Sequence, residues 1–258
     1  QNMTEESPFE RLARFYDDDY RDYHDDLALI LSLAQEANGP VLELGCGTGR
    51  IMAPLIVNGC PVTGVDNSPA LLAVARSKLT GQPSGARWQL VEGDLRDVNL
   101  DVQDFRFAFC TSNTLMHLTS QSDQLQALKN THRHLAEGAL LMLDLFNPDP
   151  ARWLAVDGLQ ELADRWTDPA TGAQVLKWSI RAFDLAEQLQ ETLFIYEEIF
   201  ADGEVKRTLC PFTLRFLWRS EAELMLRHAG FQVEDVLGNF DGEPYHGASE
   251  RLILLARK

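Results

Sequence analysis

The stretch Val41-Leu42-Glu43-Leu44-Gly45-Cys46-Gly47-Thr48-Gly49 runs from an apolar segment into three alternating glycines. A turn without side chains at those positions lets backbone approach a ligand closely, and a helix opening behind it presents free N–H groups. An acidic residue, Asp66, follows 17 positions after Gly49, at the end of the next apolar run. A carboxylate placed there can accept both hydroxyls of a ribose. Together these features point to an adenosine-containing ligand. The dinucleotide fingerprint G-x-G-x-x-G fails, because Arg50 occupies its third glycine position. The phosphate loop G-x-x-x-x-G-K-[ST] is also absent, so nucleoside triphosphates lose their anchor. What remains is E-x-G-x-G-x-G.

That pattern resembles the first motif of class I S-adenosylmethionine-dependent methyltransferases. Val65-Asp66 is similar to their second motif and Glu92-Gly93-Asp94-Leu95 to their third; the likeness spans 40–146 and 220–258. It implies S-adenosylmethionine as cofactor and a Rossmann-like α/β fold, a seven-stranded sheet with an inserted antiparallel β lid. By the same resemblance, Gly45, Cys46, Gly47 and Gly49 wrap the methionine portion and Glu43 orients the loop or touches the ligand. Asp66 binds the ribose, with Asn67 beside the adenine. Asp94 accepts from the adenine amino group, Leu95 packs there, and Cys110 or Thr111 offers a carbonyl to the methionine ammonium. Asn113-Thr114-Leu115-Met116-His117-Leu118, with Lys129-Asn130 behind it, resembles glycine N-methyltransferases and amino-sugar N-methyltransferases.

Methyl transfer demands mainly that two reactants be held in line. A strong base is therefore optional. His117 is expected to relay a proton or orient the acceptor, or else to pack at a strand–helix corner; Asn113 is expected to orient a polar acceptor or cap a turn. Tyr16, Tyr20 and Tyr23 share one helical face and resemble the segment that closes over the sulfonium: Tyr16 on the cofactor, Tyr20 at the reacting centre, Tyr23 on the acceptor. Asp17-Asp18-Asp19 reads as a solvated face. Arg215, in a run with Phe212, Phe216 and Trp218, needs a partner, and a carboxylate of the acceptor is one candidate. His132 and His134 read as ordinary helix residues.

These groups require a scaffold of alternating strands and helices. Strands are expected at Val41 to Leu44, Pro61 to Val65, Trp88 to Val91, Phe105 to Cys110, Leu140 to Leu145, Phe231 to Leu237 and Leu252 to Ala256. Helices are expected near 27–37, from Arg50 to Asn58 with a distortion at Pro54, after Ser68-Pro69, around Leu125 to Leu135 with Gly138 past its end, and after a Ser220/Glu223 capping box. Largely unbroken apolar strands imply a parallel sheet covered on both faces. Between them, 164–218 switches to period-two patterning. Turns fall at Asp168-Pro169-Ala170-Thr171-Gly172 and Asp202-Gly203, with Glu191 to Phe200 and Val205 to Trp218 as hairpin arms. The division expected is 1–150 for an N-terminal lid segment and cofactor-binding core, 151–218 for the antiparallel substrate lid, and 219–258 for the rest of the core.

Composition narrows the partners. The 258 residues are 45% hydrophobic and 24% charged, a globular balance. Net charge is −16, which disfavours nucleic acid and anionic membranes. The longest apolar run, Ala139 to Phe146, contains Asp144 and is far short of a span. Glu5 and Glu6 near the start do not fit a signal peptide. Four scattered cysteines give no C-x-x-C pair, so no metal site is expected and reduced thiols in a cytoplasmic setting are. An exposed hairpin edge would allow a homo-oligomer. The expected activity is methyl transfer to a small polar acceptor, preferably an amine nitrogen. A small-molecule O-methyltransferase of a natural-product or quinone pathway is the alternative, and a non-catalytic cofactor-binding partner protein is the reading from another class.

Overall fold

The computed structural model describes residues 8–82 and 85–258; the acidic start with Glu5 and Glu6 lies outside them. Helix α1 (Pro8–Asp19) precedes α2 (Leu27–Ala37), which stops at Asn38 in the left-handed conformation. Then come β1 (Val41–Leu44), α3 (Met52–Val57), β2 (Val62–Asp66), α4 (Pro69–Leu79), β3 (Trp88–Glu92) and β4 (Phe105–Cys110). A 3₁₀ turn (Thr114–His117), α5 (Gln121–His134) and β5 (Leu135–Phe146) follow. These strands, with β10 (Gln232–Leu237) and β11 (Arg251–Arg257), form one sheet in the order β10-β11-β5-β4-β1-β2-β3. All neighbours are parallel except β11, which is antiparallel to β5 and β10.

The central strands are largely apolar on both faces because each face is covered. Phe107 and Phe109 of β4 pack with Ile30, Met52 and Leu55 of α2 and α3, while Ala108 and Cys110 pack with Leu128 of α5 and Leu226 of α7 (Arg219–His228). The chain runs outward from β1 to β3 and then returns to the other side of β1 at β4. Reversal of that kind opens a crevice at the carboxyl ends of β1 and β4, where open α/β sheets take their ligands.

The interval between β5 and α7 holds α6 (Pro150–Val156), which the sequence pattern did not reveal, and a second sheet. Strands β6 (Gln160–Thr167), β7 (Gln174–Asp184), β8 (Leu189–Ile199) and β9 (Val205–Arg215) pair antiparallel in chain order. Both expected turns lie between strands. The last arm ends at Arg215 rather than Trp218, because the chain leaves the sheet to enter α7.

Three local expectations fail for physical reasons. Helix α3 is shorter than Arg50 to Asn58, since the glycine turn continues through Ile51. Pro54 then falls in its first turn, where no intrahelical donor is lost. Gly138 does not terminate α5. The helix passes directly into β5, and Gly138 serves a register break: Phe105 faces Leu135, but Phe107 faces Leu140. The Ser220/Glu223 capping box does not form, because α7 has already begun at Arg219. Glu223 pairs with the Arg219 guanidinium at 2.7 Å instead. Among the described residues no helix is long and apolar enough to cross a membrane.

Candidate active site

Gly45 follows β1 with φ +77°, and a Cβ there would sit 2.2 Å from the Thr114 Cγ2. The first glycine therefore admits the 3₁₀ turn after β4 against the loop. Gly47, at φ +51°, lies under the Tyr16 ring, and its N–H donates to Asp66 Oδ2 at 2.8 Å. Asp66 Oδ1 accepts from the Ser68 amide at 2.9 Å. One carboxylate thus staples the glycine loop to the end of β2. Burial raises its pKa, and the amides of Ser68, Gly47 and Asn67 oppose that rise.

Above this crevice lies a cavity of about 1020 Å³, walled by the carboxyl-end loops of β1 to β5, by α1, by α6 and by the inner face of the β6–β9 sheet. It is as large as a roomy single-ligand pocket. Tyr16, Tyr20, Gly45, Gly47, Asp66, Asn67, Asp94, Leu95, Asn113 and His117 all line it. Both oxygens of Asp94 take hydrogen bonds from Arg96, which holds the carboxyl below its ordinary range. Asn130 of α5 donates to the carbonyls of Leu95 and Val98, both at 3.0 Å, and so fixes the loop carrying Asp94 and Leu95.

At the end of β4, Asn113 has φ +63°. Its Oδ1 accepts from the Phe146 amide at 2.7 Å and from Arg251 at 3.4 Å, leaving only its amide NH₂ for a ligand. His117 sits between Phe9, edge-on at 5.0 Å, and Phe212 at 5.5 Å. Burial among these rings pulls its pKa down to about 4. The imidazole is therefore neutral near pH 7 and a weak base.

Seven expected site residues do not reach the cavity wall. Glu43 is buried behind the loop, with Oε2 lacking a hydrogen-bond partner among the described residues, and burial raises its pKa. The Cys46 side chain packs onto Gly64, and Gly49 faces Ala75 and Leu79 of α4. Cys110 and Thr111 are buried beneath the turn, and the Thr111 carbonyl already accepts from Thr114 N at 3.1 Å; Ser112 and Thr114 occupy the wall instead. Tyr23 lies under the Arg50 guanidinium and meets Tyr20 edge-on, outside the cavity. Arg215 is fully engaged by protein, with Gln124 Oε1 at 2.9 Å, Gln188 Oε1 at 3.2 Å and Glu221 Oε1 at 2.7 Å. Its partner is internal.

The acidic run is a solvated face only in part: Asp17 is exposed and Asp18 half-buried, yet Asp17 and Asp19 are both held by protein partners. Asp17 Oδ1 accepts from Thr48 Oγ1 at 2.6 Å and Lys78 Nζ at 2.8 Å. Asp19 Oδ2 accepts from Lys177 Nζ at 2.7 Å and Tyr196 Oη at 2.6 Å, and Arg14 pairs with Glu198. Helix α1 is thereby tied both to the glycine loop and to the β6–β9 sheet. Lys177, Arg181, Thr192 and Arg152 also stand on the cavity wall, although no motif in their local sequence marks them as site residues on first reading. Period-two alternation along β7 puts Lys177 and Arg181 on one face, which was the available signal.

A family described as "Methyltransferase domain" matches residues 41–138. The cypemycin N-terminal methyltransferase of Streptomyces sp is 31% identical over 221 residues, 84% of this chain and 83% of that protein. In structure, the chain is similar to the CcbJ methyltransferase from Streptomyces caelestis, with 23% identity, 97% and 98% of the two chains covered and a TM-score of 0.81. It is also similar to an amino pentose methyltransferase of calicheamicin biosynthesis from Micromonospora echinaspora, solved with S-adenosylmethionine bound, with 23% identity, coverage of 94% and 95% and a TM-score of 0.73. The sheet order, the glycine loop stapled by Asp66 and these matches agree: the chain belongs to the class I S-adenosylmethionine-dependent methyltransferases, and S-adenosylmethionine is its cofactor.

Proposed function

We propose that this enzyme methylates an amine nitrogen of a small polar acceptor, with 151–218 acting as the lid that builds the acceptor pocket. The observation that carries this reading is a single cavity that joins the Asp66 side to a roof of β7–β9 residues and contains His117 as a neutral, weak base. An amine attacks as its free base and needs positioning, whereas a hydroxyl of ordinary acidity needs a stronger base than an imidazole of pKa about 4. The relative described as an N-terminal methyltransferase supports nitrogen as well.

The crevice fits the cofactor. Asp66 Oδ2 accepts from the Gly47 amide and Oδ1 from the Ser68 amide, and the carboxylate keeps lone pairs for the ribose hydroxyls. Gly45 and Gly47 leave bare backbone beside it, and the Tyr16 ring covers Gly47. Asn67, Asp94 and Leu95 flank the adenine. When bound, S-adenosylmethionine supplies a methyl group on a positively charged sulfur. Tyr20, the Asn113 NH₂ and the His117 ring orient the acceptor nitrogen, and His117 is the residue placed to accept a hydrogen bond from it. Phe9, Phe194 and Phe212 exclude water from that side.

The test is release of S-adenosylhomocysteine with a panel of amines and hydroxyl compounds, followed by mass-spectrometric location of the methyl group. Transfer to nitrogen is expected. Asp66→Ala is expected to weaken S-adenosylhomocysteine binding by about 1–3 kcal/mol in calorimetry, the loss of a charged hydrogen-bond acceptor. Methyl groups found only on oxygen would reject the nitrogen assignment, and unchanged affinity would reject the Asp66 assignment.

A further inference from the structure

Several charged groups on the cavity wall are already engaged by a neighbour. Lys177 is paired with Asp19 at 2.7 Å, and Arg251 with the buried Asp144 at 2.6 Å. Asp94 is paired with Arg96 at 2.6 Å, while Asp149 caps α6 through the Arg152 amide at 3.1 Å. Two cations are left over. Arg181 of β7 meets only Glu161, at 3.6 Å, well beyond the 2.7–2.9 Å of a charge-assisted hydrogen bond. The Arg152 guanidinium of α6 has no salt bridge among the described residues. Among the acids on the wall, Asp66, on the cofactor side, and the exposed Glu250, on the loop ahead of β11, also lack a cationic partner among the described residues. In a chain of net charge −16, two arginines on one side of a cavity, neither held by a close acid, stand out.

The elements that carry them are fixed to one another. Trp153, next to Arg152, stacks on Phe183, two residues beyond Arg181, with ring centroids 4.9 Å apart. The Gly158 amide donates to the Arg181 carbonyl at 2.8 Å, and the Phe183 amide donates to Asp157 Oδ1 at 3.2 Å. Burial lowers the pKa of Arg181; Glu161 opposes that fall, and the neighbouring Arg152 charge adds to it. Thr192 stands directly across the β7–β8 ladder from Arg181, and its Oγ1 accepts from Gln190 at 2.9 Å. Its own O–H remains available as a third donor beside the arginines. Arginine forks match carboxylate and phosphate oxygens in pairs.

The arginines also lie on the acceptor side. Helix α6 follows β5, which flanks β4 on the side away from β2 and β3, whereas Asp66 and Asp94 end β2 and follow β3. We propose that the acceptor carries an anionic oxygen group, a carboxylate or a phosphate, and that Arg152 and Arg181 bind it while the amine reaches His117. This deepens the amine reading above and rests on it for the reacting group only.

The experiment is binding of β-alanine, O-phosphoethanolamine and ethanolamine to the full chain saturated with S-adenosylhomocysteine, read by calorimetry and saturation-transfer NMR. At least one anionic amine is expected to bind roughly tenfold or more tighter than ethanolamine, and which one does so separates carboxylate from phosphate. Arg181→Gln and Arg152→Gln, each checked for an unchanged melting profile, are expected to remove that preference and to leave S-adenosylhomocysteine affinity as it was. Equal binding of all three amines, or no binding of either anion, overturns the proposal. A tenfold loss of S-adenosylhomocysteine affinity in the variants also overturns it, because the arginines would then hold the cofactor's own carboxylate. Methylation found only on oxygen would reject the amine reading without changing these binding results.

Discussion

His117 shows how one side chain can link stability, pH and reactivity. Its pKa falls from an ordinary value near 6.5 to about 4 because the charged form would be buried between Phe9 and Phe212. Between those two values the unfolded chain holds more protons than the native one. The contribution is therefore present above pH 6.5 and is lost as pH falls toward 4. Asp19, Asp66 and Asp144, raised by burial, act in the opposite direction, so the comparison must be between a variant and the wild type. His117→Leu is expected to flatten the acid-side loss of stability by about 1–3 kcal/mol between pH 6.5 and 4 in urea titrations. If His117 orients the acceptor, the same variant lowers turnover at every pH above 5 alike. A loss confined to one limb of the pH–rate profile would instead identify a titrating base.

At the scale of elements, the site is made where strands end, and Asn113 is the joint between two of them. Its left-handed backbone turns the chain out of β4, and its Oδ1 holds the Phe146 amide at the end of β5. Asn113→Gly keeps the turn and loses the bond; Asn113→Ala loses the bond and also strains the backbone. Melting experiments should find both variants destabilised, by about 1–3 kcal/mol for the bond, with Ala worse than Gly. The legible part of the site was local in the same way. Gly45, Gly47 and Asp66 announce themselves because a strand, a turn, a helix and the next strand follow one another within 26 positions, from Val41 to Asp66. The alternating strands of the lid were equally readable, because period two is a property of one segment. What stayed hidden depends on distant partners. Arg215 is satisfied by Gln124, 91 residues away, and Asp19 by Lys177, 158 residues away. No spacing within either segment encodes those pairs. Helix α6 was missed because seven residues hold less than two full turns of any periodic signal.

For the whole molecule, the central feature is how α1 is fastened. Asp17 joins it to Thr48 and Lys78 on the core, Glu10 accepts from Ser68 at 3.1 Å, and Asp19 and Arg14 join it to the lid sheet. Its Tyr16 covers the glycine loop, while its Phe9 closes against His117. One helix is thus the door to both compartments. Exchange of spent cofactor is then expected to require lifting the same segment that covers the acceptor side. A nitrogen requiring two methyl groups must then be let go and recaptured between transfers. The enzyme is expected to be distributive: in a time course with excess acceptor, singly methylated product should accumulate in free solution before any doubly methylated product forms, and addition of an unlabelled competing acceptor after the first turnover should prevent the second transfer to the labelled molecule.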